Sequence, residues 1–101
     1  QGTLDVLVLR TLTWGQMHGY AVSRWIRERT DDVLRVEDAA LYQSLHRLER
    51  KALVHAEWGV SENNRRAKYY ALTPAGRKHL KSATVAWHRY ATAVHKVLEP
   101  A

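Results

Sequence analysis

The chain of 101 residues carries a net charge of +6, contains no cysteine and has a hydrophobic fraction of 46%. This length allows one globular domain with a modest core, and it is too short to enclose a large catalytic cleft. The lack of cysteine excludes disulfides and thiolate metal sites and is typical of a cytoplasmic protein, while no run approaches the roughly 18 apolar residues of a membrane span.

The first predicted element is a helix over residues 4–13, with Thr3 as its N-cap. Its residues are apolar nearly all round, which is typical of a helix that is buried on more than one side. In so small a domain we expect another subunit to cover the second side. Gly15 interrupts the pattern, and His18 opens a second amphipathic helix. Because the chain begins with Gln1 and not Met, we expect natural residues to precede it.

Residues 36–70 form the stretch around which the chain is organised. Its first half carries apolar residues at helical spacing on one face: Leu41, Leu45, Leu48 and Ala52. The opposite face is small, polar or basic: Ala39, Gln43, His46, Arg47 and Arg50. In the second half, strand-like segments at residues 54–58 and 66–72 flank a polar turn at residues 59–65. A helix of this kind followed by a basic hairpin predicts the recognition unit of a winged helix-turn-helix.

The last predicted element is a helix over residues 74–98, with Thr73 as N-cap and Pro74 as first residue. A stripe along it alternates between spacings of four and three residues, which is typical of a helix that packs on another helix. The stripe consists of Leu80, Thr84, Trp87, Ala91, Val94 and Leu98. One domain cannot cover so long a stripe, so we predict a homodimer interface that also includes Leu4, Leu7 and Val8.

The predicted fold is therefore mainly α with a small β-hairpin. Residues 1–73 would form a winged helix-turn-helix DNA-binding domain and residues 74–101 a C-terminal dimerisation helix, together one compact unit. Residues 63–98 carry eight basic and no acidic residues, or +8, whereas the remainder, with eight basic and ten acidic residues, carries −2. Such asymmetry indicates a polyanionic partner, although a solvated basic face without a partner is the alternative.

Five short motifs follow one another in a specific order along the chain. They are Gly2-Thr3-Leu4, His18-Gly19-Tyr20, Leu41-Tyr42 with Leu45-His46-Arg47-Leu48-Glu49, Ala56-Glu57-Trp58, and the run RAKYYALTPAG at residues 66–76. Together they resemble the PadR family of transcriptional regulators over nearly the whole chain, and the single short C-terminal helix resembles its compact branch. The resemblance implies a homodimeric winged helix that represses transcription, often with a pocket near the dimer interface for small aromatic effectors.

The predicted contacts to double-stranded DNA lie on the recognition helix and on the hairpin tip. On the helix they are Ala39, Ala40, Tyr42, Gln43, His46 and Arg47, and at the tip Asn63, Asn64, Arg65, Arg66 and Lys68. Arg47 suits a guanine edge, Gln43 an adenine edge and the hydroxyl of Tyr42 a phosphate, whereas the tip suits phosphates or the minor groove. A solvated face is the alternative, and Tyr42 could instead be half-buried against the wing; Tyr70 is predicted to lie in the core.

Other candidate sites are weaker. Trp14 and Trp87 lie on the helices assigned to the dimer and could stack on a flat aromatic effector, with close packing of both indoles as the alternative. The histidines of the last helix, His79, His88 and His95, lack a neighbouring carboxylate or cysteine, so we predict no metal and no cofactor. We also expect no enzymatic activity, since the sequence contains neither a glycine-rich phosphate-binding loop nor a pair of carboxylates in the pattern of a catalytic cleft.

Two further functions remain open. A winged helix can serve as a protein-interaction module, but such a module does not need the basic tip at residues 63–68. A winged helix can also bind RNA, but RNA modules usually expose aromatic residues for base stacking, and the outer face of the recognition helix offers only Tyr42.

Overall fold

The computed structural model describes residues 2–100. In chain order its elements are α1 (Thr3–Thr11), β1 (Met17–His18), α2 (Gly19–Arg29), α3 (Asp38–Arg50), β2 (Val54–Val60), β3 (Arg66–Leu72) and α4 (Pro74–Leu98), with a 3-10 turn (Leu12–Trp14) directly after α1. This arrangement confirms the predicted fold class, mainly α with a small β-hairpin. Thr3 is the first helical residue and not the predicted N-cap. Residues 1 and 101, the outer ends of the two predicted domains, lie outside the described range.

Side-chain caps fix where two of the helices begin. At the start of α4, the N–H of Gly76 donates to Oγ1 of Thr73 at 3.0 Å, and Pro74 occupies the first turn, which confirms the predicted start. At the start of α2, the N–H of Ala21 donates to Nδ1 of His18 at 3.2 Å. Each cap satisfies a backbone donor that the helix itself leaves without a partner.

The hairpin of β2 and β3 is joined by β1 into a three-stranded antiparallel sheet of order β1-β3-β2. Val60 pairs with Arg66, so the first hairpin strand extends two residues beyond its predicted end and the turn is shorter. Met17 of β1 pairs with Tyr70 of β3. The sequence does not predict β1, because two residues before a helix cap show no strand periodicity.

The core lies between the four helices and the sheet. Its buried side chains are Val8, Leu9, Leu12, Val22, Ile26, Leu41, Leu45, Leu48, Leu53, Val54, Tyr70 and Leu80. The three leucines of α3 confirm its predicted apolar face, and Tyr70 lies in the core as predicted. Ala52 does not belong to that face, because α3 ends at Arg50 and Ala52 is exposed with a φ of 59°.

Two residues predicted for the dimer interface belong instead to the core of the single chain. Val8 of α1 is 0% exposed and Leu80 of α4 is 5% exposed, because α1 and α4 pack against each other within the chain. The assignment of Val8 and Leu80 to an intermolecular interface is therefore wrong. Farther along α4, several large apolar side chains remain exposed: Val85, Trp87, Tyr90, Val97 and Leu98.

Candidate nucleic-acid interface

The outer face of α3 presents small and polar side chains to solvent. Five of the six predicted helix contacts are exposed on it: Ala39, Ala40, Tyr42, Gln43 and His46. The leucines on the other side of α3 are buried, so the core fixes which face points outward. The ring of Tyr42 lies over Gly19 at the start of α2, where a Cβ would come within 2.6 Å of the Tyr42 hydroxyl oxygen.

The wing, defined as β2, β3 and the turn between them, carries the other predicted contacts. Asn63, Asn64, Arg65 and Arg66 are exposed at its tip. The turn closes through the N–H of Ser61, which donates to the carbonyl oxygen of Arg65 at 2.7 Å. Asn64 adopts a left-handed φ of 58°, a conformation that asparagine tolerates better than most residues.

The side chain of Lys68 makes contacts within the chain that the sequence does not predict. Its Nζ lies 3.4 Å from Oε1 of Glu49 near the end of α3 and 5.8 Å from the ring centroid of Tyr70. The side chain is half-buried and ties the base of the wing to α3. Its position still borders the groove between α3 and the wing.

This groove has a volume of about 990 Å³ and is lined by residues of α2, α3 and the wing. Tyr42 and His46 come from α3, and Arg66 and Lys68 come from the wing. The structure thus brings part of the predicted set, from both α3 and the wing, onto the walls of one groove, whereas Ala39, Ala40 and Gln43 lie on α3 outside it. The groove also contains the carboxylates of Glu28 and Glu62, so the positive charge that suits a polyanion is concentrated on its wing side.

Trp58 also lines this groove, although the sequence does not predict it as a contact. It is 60% exposed, and the guanidinium carbon of Arg66 lies 4.5 Å from its ring centroid, within cation–π distance. In the register, Trp58 pairs with Lys68, which places it on the strand face that carries the basic residues of β3. That cross-strand position is the signal that could have identified it.

Arg47 is engaged elsewhere. Its Nη2 donates to Oδ1 of Asp5 in α1 at 2.7 Å, and its Nε donates to Oδ2 of the same carboxylate at 3.2 Å. Ser44 Oγ also donates to Oδ1 of Asp5, at 2.5 Å. The predicted contact of Arg47 with a guanine edge therefore needs correction, because this guanidinium is directed toward α1.

The Asp5 carboxylate is held in its charged form by these partners. Burial acts to raise the pKa of Asp5, but the hydrogen bonds from Arg47 and Ser44, with the charges of Arg47 and Lys51, outweigh burial. They hold the pKa below its ordinary value of 3.8. A charged carboxylate that accepts two hydrogen bonds from one guanidinium is a strong, directional contact.

The two tryptophans predicted for an effector pocket have different surroundings within one chain. Trp14 lies against Trp25 of α2, with ring centroids 6.5 Å apart. Trp87 borders a cavity of about 640 Å³ between α1 and α4, together with Tyr90 and Asp5. The cavity beside Trp87 is not lined by Trp14, and a pocket that includes both indoles stays a prediction.

Between residues 2 and 100, no group of three or more histidine, aspartate or glutamate side chains is placed to hold a metal ion. Over the same part of the chain, no helix combines the length and the hydropathy needed to cross a membrane.

A helical core that carries a polar recognition helix and a basic hairpin defines the winged-helix class of nucleic-acid-binding domains. Comparison with known proteins gives the family: the PadR-like family of transcriptional regulators matches residues 8–82. The chain therefore belongs to the PadR-like family, whose members are DNA-binding transcriptional regulators.

Individual relatives agree with this assignment. A transcriptional regulator from Clostridium thermocellum is 30% identical, with a TM-score of 0.87 over 97% of this chain and 95% of that chain. A PadR family transcription regulator from Clostridium difficile is 26% identical, with a TM-score of 0.80 over 97% of this chain and 100% of that chain. An uncharacterized protein X from Lysinibacillus sphaericus is 31% identical over 87 residues, 86% of this chain and 80% of that protein.

Proposed function

We propose that the protein is a cytoplasmic homodimeric repressor that binds a palindromic operator in double-stranded DNA. In this proposal α3 enters the major groove and the wing contacts the flanking phosphates or the minor groove. The observation that carries it is one groove on whose walls Tyr42 and His46 of α3 meet basic residues of the wing, Arg65 and Arg66. A net charge of +6 favours the encounter with DNA.

The proposed contacts are of two kinds: some recognise base edges, and others hold the phosphates and position the domain on the DNA. Gln43 and His46 are exposed on α3 and have the donors and acceptors that read base edges in the major groove. The small side chains of Ala39 and Ala40 allow close approach and suit thymine methyl groups. Tyr42 and the wing residues would hold phosphates and set the register: Asn63, Asn64, Arg65, Arg66 and Lys68.

The dimer is proposed from the uncovered part of α4. This helix has 25 residues, or about 37 Å, and large apolar side chains remain exposed along it as far as its last residue, Leu98. The proposed interface comprises Leu4, Leu7, Thr84, Trp87, Ala91, Val94 and Leu98. Two-fold symmetry would place two copies of α3 about one turn of DNA, roughly 10 bp, or a multiple of it apart.

A small planar aromatic effector is proposed to bind beside Trp87 at this interface, completed by Trp14 of the other chain. Because α1 and α4 would set the spacing of the two recognition helices, a ligand that prefers another spacing lowers operator affinity. A tenfold loss of affinity requires a difference of about 1.4 kcal/mol. Titration with flat aromatic dyes tests this: quenching of tryptophan fluorescence should occur in wild type and disappear in Trp87→Leu.

The central experiment is a gel shift on the promoter upstream of the protein's own gene, with light scattering of the free protein. We expect a dimer at micromolar concentration and a shift that a scrambled promoter of the same length does not compete away. A monomer would refute the homodimer. Binding of RNA or of a protein in preference to any DNA fragment would instead support one of the two alternatives named above.

A further inference from the structure

A polar contact between Asp5 and two side chains of α3 joins α1 to α3. Asp5 accepts three hydrogen bonds from α3, two from the guanidinium of Arg47 and one from the hydroxyl of Ser44. Ser44 is fully buried, the side chain of Asp5 is 15% exposed and that of Arg47 is 40% exposed. Water therefore competes little for the carboxylate.

The geometry restrains α3 in more than one direction. A bidentate contact between a guanidinium and a carboxylate fixes both the distance and the relative orientation of the two planes. Ser44 and Arg47 are three residues apart and lie on the same side of α3. Together with the leucine face, they define the rotation of α3 about its axis and hence which side chains point into the groove.

We propose that Asp5 is a positioning residue for DNA recognition, which fixes the rotation of α3 and withholds Arg47 from the DNA. This inference rests on the proposed placement of α3 in the major groove. Arg47 is the next residue after His46, which is exposed, and it lies one helical turn after Gln43. Without Asp5, its long cationic side chain is free to reach phosphates, which carry no sequence information.

Asp5 also connects this restraint to the proposed dimer side of the molecule. The same carboxylate borders the cavity between α1 and α4, close to Trp87 and Tyr90. A displacement of α1 against α4 therefore moves the group that anchors α3. The Asp5 side chain and its three hydrogen bonds thus form a polar link between the two surfaces, in addition to the apolar packing of α1 on α3.

The test compares Asp5→Asn, Arg47→Gln and the double variant with wild type, on operator DNA and on random DNA over a range of salt concentrations. Asn keeps the size of Asp5 but cannot accept a charge-assisted bidentate contact. We expect Asp5→Asn to raise affinity for random DNA by roughly tenfold per dimer, to steepen the salt dependence by about 0.9 per chain, and to lower the ratio of specific to non-specific binding. In the double variant, the gain on random DNA should disappear.

Glu57→Gln is the matched control, because it removes one exposed carboxylate from β2 without releasing an arginine. It measures how much of the gain comes from the change in net charge alone. A gain in Asp5→Asn no larger than that in Glu57→Gln, or a gain that persists in the double variant, would overturn the inference.

If Asp5→Asn does not fold, the single variant Arg47→Gln still tests the inference. The inference expects weaker operator binding with unchanged affinity and salt dependence on random DNA, because Arg47 does not touch DNA. A shallower salt dependence on random DNA, or lost preference at one base pair, would mean that Arg47 contacts DNA directly and would refute the inference. Failure of wild type to prefer any promoter DNA would refute the proposed function instead.

Discussion

The ring of Tyr42 in α3 rests on the backbone of Gly19 at the start of α2, so closely that a Cβ on Gly19 would lie 2.6 Å from the hydroxyl oxygen. Gly19 is buried, and the ring atoms of Tyr42 nearest to that Cβ would be 2.8 and 2.9 Å away. These distances are shorter than van der Waals contact, so a methyl group there must displace the ring. The absence of a side chain at Gly19 thus determines where Tyr42 lies on the surface proposed to contact DNA.

We predict that Gly19→Ala moves Tyr42 outward and weakens operator binding by about tenfold or roughly 1.4 kcal/mol, close to the effect of Tyr42→Ala. The fold should persist, because alanine is a better helix former than glycine. Gel shifts and thermal melts measure the two effects. Gly2→Ala is the control, since a Cβ there meets no atom within 4 Å. Unchanged operator affinity in Gly19→Ala would show that Tyr42 has no positioning role.

A second prediction concerns Trp58 and Arg66 in the wing. Trp58→Ala removes the ring over which the Arg66 guanidinium lies at 4.5 Å, a contact worth about 0.5–1 kcal/mol at an exposed site. We expect weaker binding to operator and random DNA alike, because a mobile Arg66 holds phosphate less well. Trp58→Phe should restore part of the affinity. Val60→Ala, also exposed on β2, is the control; an equal loss there would implicate the apolar surface and not the cation–π contact.

Much of the local order of this fold can be predicted from the sequence because its signals act over a few residues. Thr73 and Pro74 specify where α4 begins, through one hydrogen bond and one fixed φ. The spacing of leucines specifies the buried face of α3 and, by exclusion, the outer face. The wing follows from strand-like segments on either side of a polar turn.

The parts that could not be predicted depend on which distant residues meet. Arg47 and Asp5 are 42 residues apart, and a local pattern cannot distinguish an arginine bound to another helix from one that faces solvent. Val8 and Leu80 illustrate the same limit: an apolar stripe shows that a helix is covered, but not whether the same chain or a second one covers it.

A third prediction follows from the pKa of Asp5, which lies below its ordinary value of 3.8. Because the folded state lowers this pKa, the charged carboxylate contributes its full stabilisation at pH values above the unfolded-state pKa. That contribution is lost as the pH falls through the lower folded-state pKa. Asp5→Asn should therefore unfold more easily than wild type at pH 6, by roughly 1–2 kcal/mol. The difference should shrink below pH about 3.8. Urea unfolding of both proteins at pH 6 and below pH about 3.8 measures the difference in unfolding free energy. A difference that is the same at both pH values would contradict a charged Asp5.

A fourth prediction concerns the end of α3. The N–H of Ala52 donates to the carbonyl oxygen of Glu49 and that of Leu53 to Leu48, both at 2.9 Å, the hydrogen bonds of a Schellman motif. Ala52 holds the left-handed position with a φ of 59°, where glycine is favoured. Ala52→Gly should raise stability by about 0.5 kcal/mol, after the larger unfolded-state entropy of glycine is subtracted. Ala75→Gly, in the first turn of α4, should lower it. A melting temperature that falls in both variants would refute this account.

The last prediction tests the proposed dimer through Trp87. Its indole is 39% exposed on α4, at the rim of the cavity between α1 and α4, where a partner helix would cover it, and burying an unpaired carboxylate there is costly. Trp87→Glu should therefore yield monomers by light scattering. Operator affinity should fall by at least a hundredfold, or about 2.7 kcal/mol, because one half-site must then be bound alone.

The control for this variant is a carboxylate on the same helix but outside the proposed stripe. His88→Glu places the charge one residue further along α4, at an exposed position, and we expect it to remain dimeric. Thermal melts of both variants separate the loss of assembly from the loss of the chain's own core, to which Leu80 and not Trp87 belongs. A dimeric Trp87→Glu, or a wild type that is already monomeric at micromolar concentration, would show that α4 does not form the interface.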